Sequence, residues 1–282
     1  MSFCHRELAP GVIQIQGPLG FCSTLVLGER RALLMDTMCG VGDLAGYVRQ
    51  LTALPLIVCN SHGHFDHSGG NYQFKTVWLP RLEYPAVSRM IGAEARRDLV
   101  RRLEENGGLS IPEAARRALT DHSGFDRYRP LEPGTQFDLG GVTAVAVALP
   151  GHTLGSTGLL LREKRILLSG DAMTPIMCLF FPDGAGLEIY KSTLRKAMAL
   201  PMDFFVTAHH VRLFPRSALD AFLACAEAVP TLRGMKFQHD IFPEYTGRLY
   251  IYQGENSGDE DFLALIGPDV PREKKAREGK TG

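Results

Sequence analysis

The order of elements along the chain predicts an α/β fold, a layered sandwich of strands and helices. Three observations carry the prediction. Apolar residues alternate or run in short β-branched stretches; these stretches form two runs, each followed by helical spacing; and ligand-type residues recur where the stretches end.

Val12-Ile13-Gln14-Ile15 alternates as a half-buried strand does, and Gly17-Pro18 breaks it. Cys22 to Leu27 and Ala32 to Met35 follow as strands around the turn Gly28-Glu29-Arg30-Arg31, and Asp36-Thr37 closes the second of them. Asp43 is placed to cap a helix through Tyr47, Val48 and Leu51. That helix returns the chain to the strand Leu56-Ile57-Val58-Cys59, and Thr76 to Leu79 reads as one more.

Residues 81–129 break the rhythm and predict a helical insertion, with apolar spacing at Leu99 and Leu103 and again at Ala114, Ala118 and Leu119. Ser110-Ile111-Pro112-Glu113 fits a capping box. Ten arginines against eight acidic residues make the insertion a solvated helical face, with a lid over a site as its functional alternative.

Strands resume at Val142 to Leu149, Thr157 to Leu161 and Arg165 to Leu168. A helix over Ser192 to Ala199, the strand Phe204-Phe205-Val206 and a helix over Ser217 to Ala228 complete the second run. Leu249 to Tyr252 reads as an edge strand. The expected organisation is one domain over 1–230, an extension of it over 231–270, and a flexible charged tail over 271–282.

Lys plus Arg balance Asp plus Glu at 31 each, so there is no large field to hold a polyanion or an acidic membrane. The expected partner is a small-molecule substrate, not nucleic acid or membrane, and a homodimer is compatible with the composition. Six cysteines without a Cys-x-x-Cys pair read as reduced thiols, and the first residues lack the apolar core of a signal peptide. A cytoplasmic protein is the expectation.

The chemistry is concentrated in Ser61-His62-Gly63-His64-Phe65-Asp66-His67-Ser68, three imidazoles and a carboxylate on a loop after a strand. Imidazole nitrogen and carboxylate oxygen suit zinc and other first-row transition metals, whereas a calcium or magnesium site would call for oxygen alone. His152 in a Pro150-Gly151-His152-Thr153 turn, Asp171 after Ser169-Gly170 and His209 after Thr207-Ala208 also stand at strand ends. They can therefore converge with the cluster on one sheet edge. His210 competes with His209, whereas His5, His122 and His239 carry little local signal.

Together, His62-x-His64-x-Asp66-His67, Gly151-His152, Gly170-Asp171 and Ala208-His209 resemble the metallo-β-lactamase-fold hydrolases over most of residues 8–230. Leu33-Leu34-Met35-Asp36-Thr37 is similar to that family's opening strands. The resemblance implies a four-layer αββα sandwich of two mixed sheets with outer helices and the metal site at one sheet edge. It implies that His62, His64 and His152 hold one divalent ion, that Asp66, His67 and His209 hold another, and that Asp171 bridges them. Zinc is the expected metal, with iron or manganese as substitutes. A metal-bound hydroxide would attack the substrate, and Asp66 would orient it or pass its proton to the leaving group.

Class B β-lactamases commonly place a cysteine where this chain has Asp171, so the resemblance points to the glyoxalase II-like and lactonase-like branches. The lactonases' tyrosine after the bridging aspartate has no counterpart, since Thr174 occupies that vicinity. Met177, Leu179, Phe180 and Phe181 could line an acyl pocket or simply pack, and Tyr190 and Lys191 could bind an anion or form a solvated helix start. The expected activity is hydrolysis of a small ester, thioester or lactone. The alternatives are a mononuclear iron sulfur dioxygenase-like oxidoreductase and a phosphodiesterase or nuclease.

Overall fold

Alternation along the strands decides which layer each side chain enters. In strand β3 (Cys22–Leu27), Leu25 packs into a core on one face of its sheet and Val26 into a second core on the other. In β10 (Thr157–Leu161), Leu159 and Leu161 enter that second core while Leu160 enters a third. Two sheets thus face each other across a shared core, and helices cover each outer face. The architecture is the metallo-β-lactamase-type sandwich, in a computed structural model that describes residues 2–17, 19–90, 92–108, 110–120, 125–252 and 263–268. The expected tail at 271–282 and His122 lie outside the described residues.

The first sheet runs in chain order through β1 (Cys4–Ala9), β2 (Val12–Gln16), β3, β4 (Ala32–Met35), β5 (Leu56–Cys59), β6 (Val77–Leu79) and β7 (Tyr128–Pro130). It is antiparallel as far as β4 and parallel from β4 to β7. The second sheet comprises β8 (Gln136–Asp138), β9 (Thr143–Ala148), β10, β11 (Ile166–Gly170), β13 (Phe204–Thr207) and β14 (Phe214–Pro215), with β11 and β13 parallel. A third sheet, in the order β12 (Ile176–Cys178), β17 (Leu263–Gly267), β16 (Thr246–Tyr252), β15 (Met235–Gln238), joins a segment after Asp171 to the C-terminal part of the chain.

Helix α1 (Leu44–Leu51) begins where Asp43 accepts the Gly46 N–H at 2.7 Å, a cap of about 1 kcal/mol. The short α2 (Phe65–Ser68) carries Asp66 and His67, with His64 at its N-cap. Helices α3 (Tyr84–Met90), α4 (Ala93–Glu105) and α5 (Glu113–Thr120) lie within 81–129, and Val87, Leu99, Val100, Leu103 and Leu119 bury into the same core as α1. At roughly 1.5–3 kcal/mol per buried aliphatic side chain, this packing fastens the segment to the outer face of the first sheet. On the far side, α6 (Leu187–Met198) and α7 (Ala218–Ala228) cover the second sheet.

Three local expectations differ from the structure. Helix α5 starts at Glu113, whose carboxylate pairs forward with Arg117 and Arg116, and the Arg116 N–H reaches the Pro112 carbonyl; Ser110 stands too far upstream to cap it. Helix α6 starts at Leu187, so Tyr190 and Lys191 lie inside it and are buried; Tyr190 packs in the core and Lys191 pairs with Glu188. Strand β16 is hydrogen-bonded on both sides, to β15 and β17, and is no edge. All six cysteines are free, and no helix among the described residues is long and apolar enough to cross a membrane.

Candidate metal centre

The strand ends converge as their sequence positions suggest. The chain leaves β5 into Asn60-Ser61-His62, leaves β9 into the His152 turn, leaves β11 at Asp171 and leaves β13 at Ala208-His209. Side chains of parallel strands meet at their carboxyl ends in this way because the connecting loops open there. Asp171 is aimed by a register irregularity in β11 and by Gly170, which has φ +55° and whose Cβ, if present, would stand 2.5 Å from the Ser61 Cβ. Only glycine lets the two sheets approach at that point.

The seven residues form two groups, His62, His64 and His152 in one and Asp66, His67, Asp171 and His209 in the other, with ligand atoms within 4.8 Å of one another in each. His209 is the last member: its Nε2 lies 3.1 Å from Asp171 Oδ2 and 3.5 Å from Asp66 Oδ2. His210 instead bonds the Thr207 hydroxyl through Nδ1 at 3.2 Å and sits edge-on to Phe214. His5 bonds the Tyr47 hydroxyl of α1 through Nδ1 at 2.9 Å.

Each buried imidazole is pinned on its outer side. His152 Nδ1–H donates to the Cys178 carbonyl at 2.8 Å, and His67 Nδ1–H donates to Asp36 Oδ2 at 2.9 Å. His62 Nδ1 meets the Ser61 hydroxyl at 3.0 Å, and His64 Nε2 lies 3.2 Å from Asp183 Oδ2. Such outer bonds fix tautomer and ring orientation, leaving the inner nitrogen as a lone pair. The inner atoms fit a metal: His62 Nε2, His67 Nε2 and Asp171 Oδ1 are buried without a hydrogen bond. His64 Nδ1 and His152 Nε2 face each other at 2.9 Å, two lone pairs that a shared cation would reconcile.

The two groups differ electrically. Burial, reinforced by neighbouring imidazoles, holds His62 well below the usual histidine range and brings His152 down to about 4. In the second group burial works against charge on His67, but Asp66, Asp171 and Asp36 raise it well above that range. Asp171 raises His209 as well. Burial would raise Asp66 and Asp171, yet the adjoining His67 and His209 hold both low.

Residues 17–209 match the family model described as Metallo-beta-lactamase superfamily. The chain belongs to this superfamily. Among curated members it is 31% identical over 188 residues to Acyl-coenzyme A thioesterase MBLAC2 of Gallus gallus, an alignment covering 61% of this chain and 66% of that protein. It is 25% identical over 177 residues to a Hydroxyacylglutathione hydrolase of Hyphomonas neptunium, covering 62% and 55%. The chain thus spans slightly under two thirds of the length of the first of these relatives. Among solved structures, the sec-alkylsulfatase Pisa1 from Pseudomonas sp. shares the fold with a TM-score of 0.61 at 18% identity, over 80% of this chain and 42% of that one.

In this superfamily member, groups beyond the seven also shape the centre. Asp36, in a left-handed conformation with φ 67°, accepts the Ser61 N–H at 2.7 Å and the Ser61 hydroxyl at 2.9 Å besides binding His67. Its place at the end of β4 was a legible signal, since it obeys the same strand-end rule as the ligands. Phe181 stands edge-on to His64 and His152, with ring centroids at 4.9 and 5.6 Å, and meets Tyr245 and His239 at 5.6 and 5.9 Å. Phe180 stacks on Phe181 and touches Phe237. This aromatic wall joins the loop after β12 to the hairpin of β15 and β16, and Phe21 stands at 5.9 Å from His209 across the centre. The grouping of Phe180 and Phe181 is visible in the sequence, but nothing local pairs them with residues 237–245.

Proposed function

We propose that this protein hydrolyses an acyl thioester at a dinuclear centre, with His62, His64 and His152 holding one divalent ion and Asp66, His67 and His209 the other, bridged by Asp171. The observation that carries the reading is a pair of inward-facing nitrogens without hydrogen bonds, His62 Nε2 and His67 Nε2, each backed by an outer bond through Nδ1. Bound there, two divalent ions, zinc foremost, would acidify a water into a nucleophile and polarise the substrate carbonyl.

The chain's own residues supply the rest. Outer bonds from Asp36, Ser61, Cys178 and Asp183 hold the imidazoles in register, so little reorganisation is required during turnover. Asp66, with its side chain 28% exposed, turns Oδ2 toward His67 and His209, which leaves Oδ1 to accept the nucleophile's proton. A thiol of about pKa 8.5 leaves as thiolate with little help from an acid. The aromatic wall of Phe180, Phe181 and Tyr245 offers an acyl group an apolar side next to the centre. The names of the two curated relatives, an acyl-coenzyme A thioesterase and a hydroxyacylglutathione hydrolase, both denote thioester substrates and support this choice over a lactone.

The test is metal analysis of the purified protein together with a panel of acyl-coenzyme A, acylglutathione, lactone, β-lactam and phosphodiester substrates. Two transition-metal ions per chain and turnover confined to thioesters are expected. Oxygen uptake with one iron per chain, or activity that survives chelation, would refute the proposal.

A further inference from the structure

Glu83 is a buried carboxylate, 2% exposed, in the turn that opens the 81–129 segment. It belongs to neither donor group, yet it joins two of the loops that deliver them. Oε2 accepts the Gly63 N–H at 2.8 Å, between His62 and His64. Oε1 accepts the Thr153 hydroxyl and the Gly155 N–H, each at 2.8 Å, in the turn that carries His152. The three imidazoles of the first group therefore stand on two chain segments spanned by a single side chain. A buried carboxylate with three well-formed bonds is a stiff link, because breaking any of them leaves charge unsolvated.

The surrounding residues are shaped to admit it. A Cβ on Gly155 would lie 2.3 Å from Glu83 Oε1, so the carboxylate occupies the place a side chain there would need. Thr153 is itself set by Ser156, whose hydroxyl lies 2.8 Å from the Thr153 hydroxyl and accepts the Thr153 N–H at 3.1 Å. Among the described residues Glu83 makes no hydrogen bond to the second group, whose His67 is held instead by Asp36.

We propose that Glu83 is a positioning residue that sets the spacing between the His62–His64 loop and the His152 turn, and so the affinity of the first group for its metal ion. The proposal rests on the two-metal reading above. Glu83→Gln keeps the side chain's size but turns one acceptor into a donor, which opposes either the Gly63 N–H or the Gly155 N–H. Gly155→Ala displaces the carboxylate from the opposite side. Both variants and the wild type, stripped of metal, would be titrated with zinc against a chromophoric chelator, with His152→Ala assigning which binding constant belongs to the first group. Metal-free stability would be followed by urea unfolding.

The expected result is a 10- to 100-fold loss of zinc affinity at the first group in both variants, in the range of outer-shell changes at metal sites, with the second group changed less than about threefold. Unchanged affinity at the first group, or equal loss at both groups in step with lowered metal-free stability, would overturn the positioning role. A wild-type protein that takes up no zinc would instead overturn the two-metal reading, and the role of Glu83 with it.

Discussion

The two donor groups are built from opposite materials. Burial disfavours charge on His62 and His152, and the group they form with His64 is gathered from two loops that the Glu83 side chain spans. Asp66, His67, Asp171 and His209 offset one another's charge, and the group is more open, with the His209 side chain 32% exposed. The first group depends on outer residues to fix its geometry, whereas the second is held partly by its own ion pairs. Substitutions should therefore separate them.

The largest effect is expected from Asp171→Ala, because Asp171 Oδ2 lies within 3.4 Å of His67 Nε2 and 3.8 Å of His152 Nε2 and so faces both groups. Metal content and thioester turnover should fall together, and by more than the roughly 100-fold ceiling of outer-shell changes. Full zinc occupancy in this variant would break the idea that Asp171 bridges the groups. Next comes Asp36→Asn, whose single amide oxygen cannot accept the Ser61 backbone N–H and the His67 Nδ1–H at once. Zinc affinity at the second group should drop about 10- to 100-fold, with about 1–3 kcal/mol lost in urea unfolding. If the first group were hit equally, the separation drawn here would be lost.

Phe181→Ala should act on substrate more than on metal. With two imidazoles losing an apolar neighbour but keeping their bonds, KM for long acyl thioesters should rise about tenfold while zinc content holds, consistent with about 1.5–3 kcal/mol for a buried side chain. A kcat loss of the same size on short and long substrates would speak against an acyl-binding wall. The smallest effect is expected from His210→Ala, since His210 faces Thr207 and Phe214 and neither donor group. Loss of a metal ion in this variant would exchange the roles of His209 and His210.

The legible and illegible parts of the centre divide along the same line. His62, His64, Asp66, His67, His152, Asp171 and His209 could be read because each stands where an apolar stretch stops. Glu83 could not: it lies 70 residues from Thr153, and nothing in Arg81-Leu82-Glu83 distinguishes it from a solvated acid. Arg96 was equally hidden within an Arg-rich helix. It is 0% exposed, donates to the Gly69 carbonyl at the end of α2 at 2.8 Å, and lies over the rings of Phe65 and Tyr72. Counting charge in 81–129 made that segment a solvated face, and the surface ion pairs of Arg101 and Arg117 with Asp98, Glu105 and Glu113 fit the description. Two of its charged residues instead turn inward, one toward each donor group.

The sequence by itself determined the succession of strands β2 to β6, the alternation that makes a two-sheet core, and six candidate ligand residues with their chemical type, with His209 set against His210 for the seventh. These follow from local periodicity and from residue types that have few other uses at a strand end. Tertiary structure alone decided that the segment 81–129 buttresses the centre, that His209 and not His210 faces Asp171, and that the β15–β16 hairpin meets Phe180 and Phe181. Those outcomes depend on which distant surfaces become neighbours once the sheets pack, and a pattern of period two or 3.6 carries no record of that.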